Sequence, residues 1–211
     1  GADAATNGPG GFRFDGDLMV IFTPVDNLEL KGKVGYLWRD SAAVDVAPTG
    51  AVFDRRGRTE QFDASLGAAW KPVEGTNLLL RARYGLFRDQ LQQDQRGAAY
   101  LDTYSQNRDR LWEAQLQWDQ KLGTHRLSLG GEFLHETLVS SRLVDGLGLR
   151  YRFSGFVQDE WVQSGGALGK VKVTVLPGLR FDYDSQFKDA WSPRLAVKVD
   201  PWPQLTVWAA W

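Results

Sequence analysis

Cysteine is missing from all 211 positions, which removes disulfides, thiolate metal sites and cysteine nucleophiles from consideration. That absence is compatible with an oxidising cell envelope. Histidine is almost as scarce, with only His125 and His135. His135-Glu136 opens an H-E-x-x-H string, but Val139 stands where the second ligand would be, so each histidine is expected to face solvent at a strand end. No G-x-S-x-G elbow, phosphate-binding P-loop or paired dinucleotide glycines occur, so neither an enzyme, a cofactor nor a metal centre is expected. Long hydrophobic runs are lacking too. No stretch approaches the ~18 apolar residues of a spanning helix, and a mean hydropathy of -0.36 belongs to a polar chain, which excludes a bundle of membrane helices. A net charge of -1 gives no reason to expect nucleic acid. Gly1 to Gly11 holds no basic stretch followed by an apolar core, so no signal peptide is read there. An exported protein would have lost one, or the chain is a fragment.

Aromatic residues, by contrast, reach 12% with nine Trp, and large amphipathic rings in that number call for a place such as a membrane interface. The chain also alternates strictly between apolar and polar residues in segment after segment, which predicts an almost purely β protein. Phe12, Phe14, Gly16, Leu18, Val20 and Phe22 share one face, with Arg13, Asp15 and Asp17 on the other. The pattern resumes after Pro24 to Asn27 with Leu28, Leu30, Val34, Tyr36 and Trp38. It recurs in four further hairpins that turn near Glu74, Gly123, Gly166 and Trp202, with residues 1–11 read as a loop or disordered lead-in. This gives about ten strands of roughly the 9 to 11 residues that cross a bilayer at a tilt. The remaining connections read as long polar loops: Asp40 to Arg58, Asp89 to Arg108, Val139 to Arg150 and Asp184 to Ser192. Short turns on one side and long loops on the other are the habit of outer-membrane barrels.

Alternation alone also suits a soluble sandwich or barrel. Charges recurring on the polar face of successive strands fit a water-filled or plug-filled lumen, and equally the wet outside of a soluble barrel. Two further features favour the membrane. Aromatics gather at strand ends, with Trp70, Trp118 and Trp161 before short turns and Tyr36, Trp38, Tyr84 and Tyr183 towards the long loops. Many strands also exceed the ~5 to 6 residues usual in soluble sheets.

Candidate binding residues follow from charge and aromaticity. Phe53, Arg55, Arg56 and Arg58, read as lying in a long loop, could attract an anionic ligand such as a ferric chelate, or could be a solvated charge run. Tyr100 and Tyr104 offer aromatic surface in the next loop. Arg81, Arg83, Glu113 and Arg180 are expected on the lumen side, where the arginines either meet ligand or pair with Asp63, Glu113 or Asp182. Asp182 and Asp184 alternate on one strand as a possible hard-cation site or simply a solvated strand end.

The last third of the chain carries Phe156-Val157-Gln158-Asp159-Glu160-Trp161, Pro177-Gly178-Leu179-Arg180-Phe181-Asp182-Tyr183-Asp184, Ser192-Pro193-Arg194-Leu195-Ala196 and Gln204-Leu205-Thr206-Val207. In this order and spacing these segments resemble the middle of the barrel of TonB-dependent outer-membrane receptors. Residues Phe12 to Val139 resemble it as generic barrel strands only. The resemblance implies a bacterial outer-membrane location, an antiparallel up-and-down transmembrane barrel larger than this chain, and energised uptake of a scarce chelate such as a ferric siderophore. It further implies as partners outer-membrane lipid, the rest of the barrel, a plug domain, and a TonB-type coupling protein acting through that plug. No plug is read in residues 1–211, and orientation puts both chain ends outside the cell, as a truncated barrel would have them. Two rivals stand beside this reading. A passive pore or a small structural or engineered barrel would use Trp211 as a terminal aromatic for membrane assembly. A soluble all-β binding domain would fold in water without detergent.

Overall fold

The computed structural model describes residues 10–165, 169, 171–202 and 204–211. Ten strands run in chain order: β1 (Gly10–Val25), β2 (Leu28–Val46), β3 (Val52–Trp70), β4 (Thr76–Gln95), β5 (Thr103–Leu122), β6 (His125–Ser140), β7 (Leu147–Ser164), β8 (Lys172–Asp184), β9 (Ala190–Trp202) and β10 (Leu205–Ala210). Each pairs antiparallel with its chain neighbours in one ten-stranded sheet, and no helix occurs among the described residues. Among these residues β1 and β10 each have one unpaired edge.

Because side chains alternate with period two, the register assigns every residue to a face. One row crosses seven strands as Leu18, Val34, Ala64, Tyr84, Trp112, His135 and Tyr151. The neighbouring row, on the opposite face, runs Met19, Lys33, Ser65, Arg83, Glu113, Leu134, Arg152 and Asp184. The first face is apolar over Leu28 to Trp38 of β2, Phe62 to Trp70 of β3 and Leu78 to Leu86 of β4, the length of strand that crosses a hydrocarbon layer. Among the described residues nothing packs on this face: Leu66 is 70% exposed, and Phe53 is the one buried hydrophobic residue. A soluble β domain would bury such a band under a second layer. Here the lipid is the second layer, so the apolar face points outward and the polar face inward.

Outward aromatics pair across strands along the upper part of the band, where Tyr84 and Trp112 lie 4.5 Å apart, Phe133 and Phe153 4.8 Å, and Phe181 and Trp191 4.7 Å between ring centroids. Trp38, Trp70, Tyr84, Trp118, Trp161, Tyr183 and Trp211 all fall on this outward face by register. Trp211 is tied in by a reciprocal pair of backbone hydrogen bonds with Leu195, each 2.9 Å.

Three expectations need correction. The strands continue through most of what read as long loops, leaving only connections 47–51, 96–102, 141–146 and 185–189. The apolar alternation stops at Trp38 or Phe62 because the strands leave hydrocarbon there and neither face needs to be apolar. The backbone ladder continues regardless, held by pairs such as Arg56 with Asp40 and Arg96 with Asp54, each 2.6 Å. Gly10 and Gly11 belong to β1 and not to a lead-in; residues 1–9 lie outside the described residues, as do parts of the expected turns near Gly166 and Trp202. His125 opens β6 and is exposed, as expected of a strand-end histidine, whereas His135 lies inside β6. His125 stacks on Trp161 at 6.1 Å and its Nδ1 meets Asp159 at 2.7 Å, while His135 stacks on Tyr151 at 4.7 Å.

Candidate lumen wall and ligand vestibule

The inward face is built from the polar half of each alternating strand, and cross-strand register brings opposite charges together. Lys33 reaches Asp17 at 3.4 Å and Arg83 reaches Asp63 at 2.8 Å, linking β1 to β2 and β3 to β4. A recess of about 450 Å³ opens between these pairs, lined by Arg13, Asp15, Asp17, Lys33, Asp63 and Arg83 among others. Further round the sheet Arg180 bridges Glu132 at 2.9 Å and Asp182 at 3.0 Å, and Ser154 donates to Asp182 at 2.5 Å. Gln115 donates to Glu113 at 2.9 Å and Glu132 at 3.5 Å, joining β5 to β6. Arg81 shares this face but has no ion-pair partner among the described residues. A sheet whose inner side carries carboxylates and guanidinium groups from β1 to β8 presents hydrogen-bonding groups to water or protein, never to lipid.

Above the level of the apolar band the same face forms a vestibule. Arg55 of β3 contacts Asp45 at 2.9 Å and donates from Nε to Gln93 at 3.0 Å, next in parity to the buried Phe53. Arg150 of β7 grips Asp184 at 2.7 Å and holds its guanidinium 5.3 Å from the Phe187 ring centroid. The Arg150 hydrogen bond, reinforced by the Gln186 backbone N–H, holds the Asp184 carboxyl below the usual carboxylate range. The Arg96 hydrogen bond does the same for Asp54 at the rim.

The expected binding residues are thus divided. Phe53 and Arg55 face inward, whereas Arg56 and Arg58 sit on β3 with outward parity and share Asp40, so the four form no single loop cluster. Period two sends consecutive arginines to opposite faces. Tyr104 lies on β5 with outward parity and accepts from Gln90 at 3.1 Å, while Tyr100 is exposed in connection 96–102. Arg81, Arg83, Glu113 and Arg180 all lie on the polar face. Asp182 and Asp184 also share it, each already paired with an arginine, and no group of three metal-ligating side chains occurs among the described residues. Asp17, Lys33, Asp45 and Gln93 carry no signal in the chain itself, because their partners lie on other strands and depend on register.

Comparison with known proteins agrees with this geometry. The family described as TonB dependent receptor-like, beta-barrel, matches residues 3–211. No curated protein matches by sequence. Among solved structures, the ferric enterobactin receptor PfeA of Pseudomonas aeruginosa superposes with a TM-score of 0.71 at 16% identity, covering 100% of this chain and 34% of that one. The siderophore receptor PirA of the same organism gives 0.54 at 16% identity over 89% of this chain and 37% of that one. The RagAB peptide transporter gives 0.62 at 12% identity over 90% and 30%. The chain therefore spans about a third of the length of the receptors it resembles.

Proposed function

The chain belongs to the TonB-dependent receptor family as a stretch of its outer-membrane β-barrel, and from that premise we propose that it forms part of the wall of an energised importer for a scarce chelate such as a ferric siderophore. The observation that carries the proposal is the inward charge ladder from Asp17 and Lys33 to Arg180 and Asp182, continuous with the vestibule around Arg55. A wall of this kind gives a plug domain and a passing ligand polar partners while the outward band holds the lipid. On this reading the wall does no covalent chemistry and carries no cofactor. It belongs to a receptor whose plug, and the TonB-type protein that pulls on it, are supplied by parts other than the sheet described here.

Arg55, braced by Asp45 and Gln93 beside Phe53, is the side chain best placed to meet an anionic chelate at the mouth, because its guanidinium is preoriented by two neighbours. The receptors PfeA and PirA, named for ferric enterobactin and siderophores, support the choice of cargo class. RagAB, named for peptides, has the same fold, so cargo is a property of the vestibule and not of the sheet. The test is uptake of radiolabelled ferric siderophores by cells that carry the intact receptor as their sole such receptor, with and without the proton gradient. Gradient-dependent accumulation, lowered roughly tenfold in affinity by Arg55→Gln, is the expected result. Ion conductance without energy input and no saturable chelate binding would replace it with the passive-pore reading.

A further inference from the structure

The outward face does not end where the apolar band ends. Continuing up β3, β4 and β5 from the Tyr84–Trp112 pair, its side chains become Glu60, Arg58 and Arg56, then Arg88, then Arg110 and Arg108. Five arginines thus point away from the lumen, against the carboxylates of Asp40 and Glu60 at the same level. Asp40 is occupied by Arg56 at 2.6 Å and Arg58 at 3.5 Å. Glu60 accepts from Arg88 Nη1 at 3.1 Å and from the Tyr36 hydroxyl at 3.3 Å. That leaves Arg108 and Arg110 without an ion-pair partner among the described residues. Arg88 and Arg108 are direct register partners across β4 and β5, and the Nε of each is buried without an acceptor.

Like charges directly opposed across two strands destabilise a sheet, and a buried guanidinium N–H without an acceptor costs its full desolvation. Glu60 meets Arg88 alone, so an anion bound to the solvent-facing guanidinium nitrogens of the cluster relieves the like-charge opposition that remains. The position of the trio decides which anion. Directly below it on the same face are Leu86, Tyr84, Trp112 and Leu116, with Trp112 54% and Leu116 52% exposed to the lipid side. The ligand must therefore be charged at one end and hydrocarbon at the other. The strands overhang the band on the side with the longer connections, which in outer-membrane barrels faces out of the cell.

We propose that Arg88, Arg108 and Arg110 form a binding site for the phosphate monoester headgroup of an outer-leaflet lipid, whose acyl chains lie along the Trp112–Leu116 strip. A dianionic monoester offers enough acceptor oxygens for several guanidinium groups at once. A singly charged diester neutralises less of the cluster and binds more weakly.

Intact receptor is reconstituted in phosphatidylcholine nanodiscs doped with phosphatidic acid or with phosphatidylglycerol, and retained lipid is counted by native mass spectrometry. Wild-type receptor is expected to retain phosphatidic acid in preference to phosphatidylglycerol. The pair Arg108→Gln and Arg110→Gln is expected to weaken retention about tenfold or more, the loss of charge-assisted hydrogen bonds. Arg108→Lys with Arg110→Lys keeps the charge and recovers part of it, and Arg142→Gln in connection 141–146 changes nothing. Heat-modifiable migration in gels confirms that each variant is folded. Unchanged retention in the folded glutamine variant overturns the site. Equal retention of phosphatidylglycerol overturns the monoester, and displacement by millimolar inorganic phosphate overturns the lipid as occupant.

Discussion

Gly130 lies where the Phe156 ring crosses the inward face of β6. A Cβ built there collides with the Phe156 side chain and comes within 3.1 Å of the Leu116 carbonyl oxygen. The ring must shift to admit the methyl group and the Leu116 carbonyl crowds it from the other side, so Gly130→Ala is expected to cost about 1 to 3 kcal/mol, the usual penalty for overpacking. Phe156→Leu in the same chain should return most of that, measured by urea-unfolding midpoints in liposomes; a Gly130→Ala variant as stable as wild type would mean that the ring is not fixed there. The rim carboxylates make a pH prediction of definite sign. Asp54 and Asp184 have folded-state pKa values below the ordinary carboxylate value because each accepts hydrogen bonds from an arginine. Their contribution is fully present above the unfolded value of about 3.9 and is lost as pH falls through the lower folded value. Hydrogen exchange at the strand ends beyond the band should therefore be indifferent to pH between about 5 and 7, once corrected for intrinsic rates, and loosen only below about 4. Loosening already near pH 6 would point to another titrating group.

A single strand is legible from its own residues only where one of its faces meets lipid. In β3, Phe62 to Trp70 announces itself by alternation, whereas Val52 to Gln61 is equally a strand and reads as a charged loop. Hydrocarbon imposes a pattern and water does not. This is why Arg55 and Arg56 appear as one cluster in the chain and lie on opposite faces of the sheet. The face assignment makes a sharp paired prediction at two adjacent positions. Leu66→Arg places a charge in the apolar band and is expected to cost about 2 to 4 kcal/mol if the site lies at mid-membrane. Ser65→Arg, one residue away on the polar face, should be tolerated within about 0.5 kcal/mol as a surface-like change. Equal costs, read from unfolding in lipid vesicles, would show that the two faces have been exchanged or that neither meets lipid.

At the scale of the whole sheet, the decisive features among the described residues are the unpaired edges of β1 and β10 and the lack of a second layer over the apolar face. Unpaired backbone N–H and C=O groups are not tolerated in hydrocarbon, so each edge requires another strand. Residues 10–211 expressed alone are expected to give no heat-modifiable monomer in detergent, while the intact receptor does. A compact, SDS-resistant monomer from this segment would instead mean that β1 and β10 meet and close a barrel of their own. That outcome would also remove the energised-uptake proposal, since a ten-strand closure leaves little room for a plug.

The chain by itself determines that this is an antiparallel β protein with one apolar and one charged face, aromatic at the strand ends and without thiol chemistry. Those properties have a period of two residues and are written within each segment. The motifs from Gln158 to Trp161 and from Pro177 to Asp184 additionally carry the resemblance to the family, because they are short and contiguous. Only the tertiary structure decides which charges meet. Arg180 finds Glu132 across β7, Arg55 finds Asp45 across a turn, and Arg88 is set opposite Arg108. Register is a relation between strands far apart in the chain, and the height of the membrane boundary is a relation between the whole sheet and its two solvents. Neither is encoded in any one segment, and together they separate the arginines of the lumen from those that face the lipid.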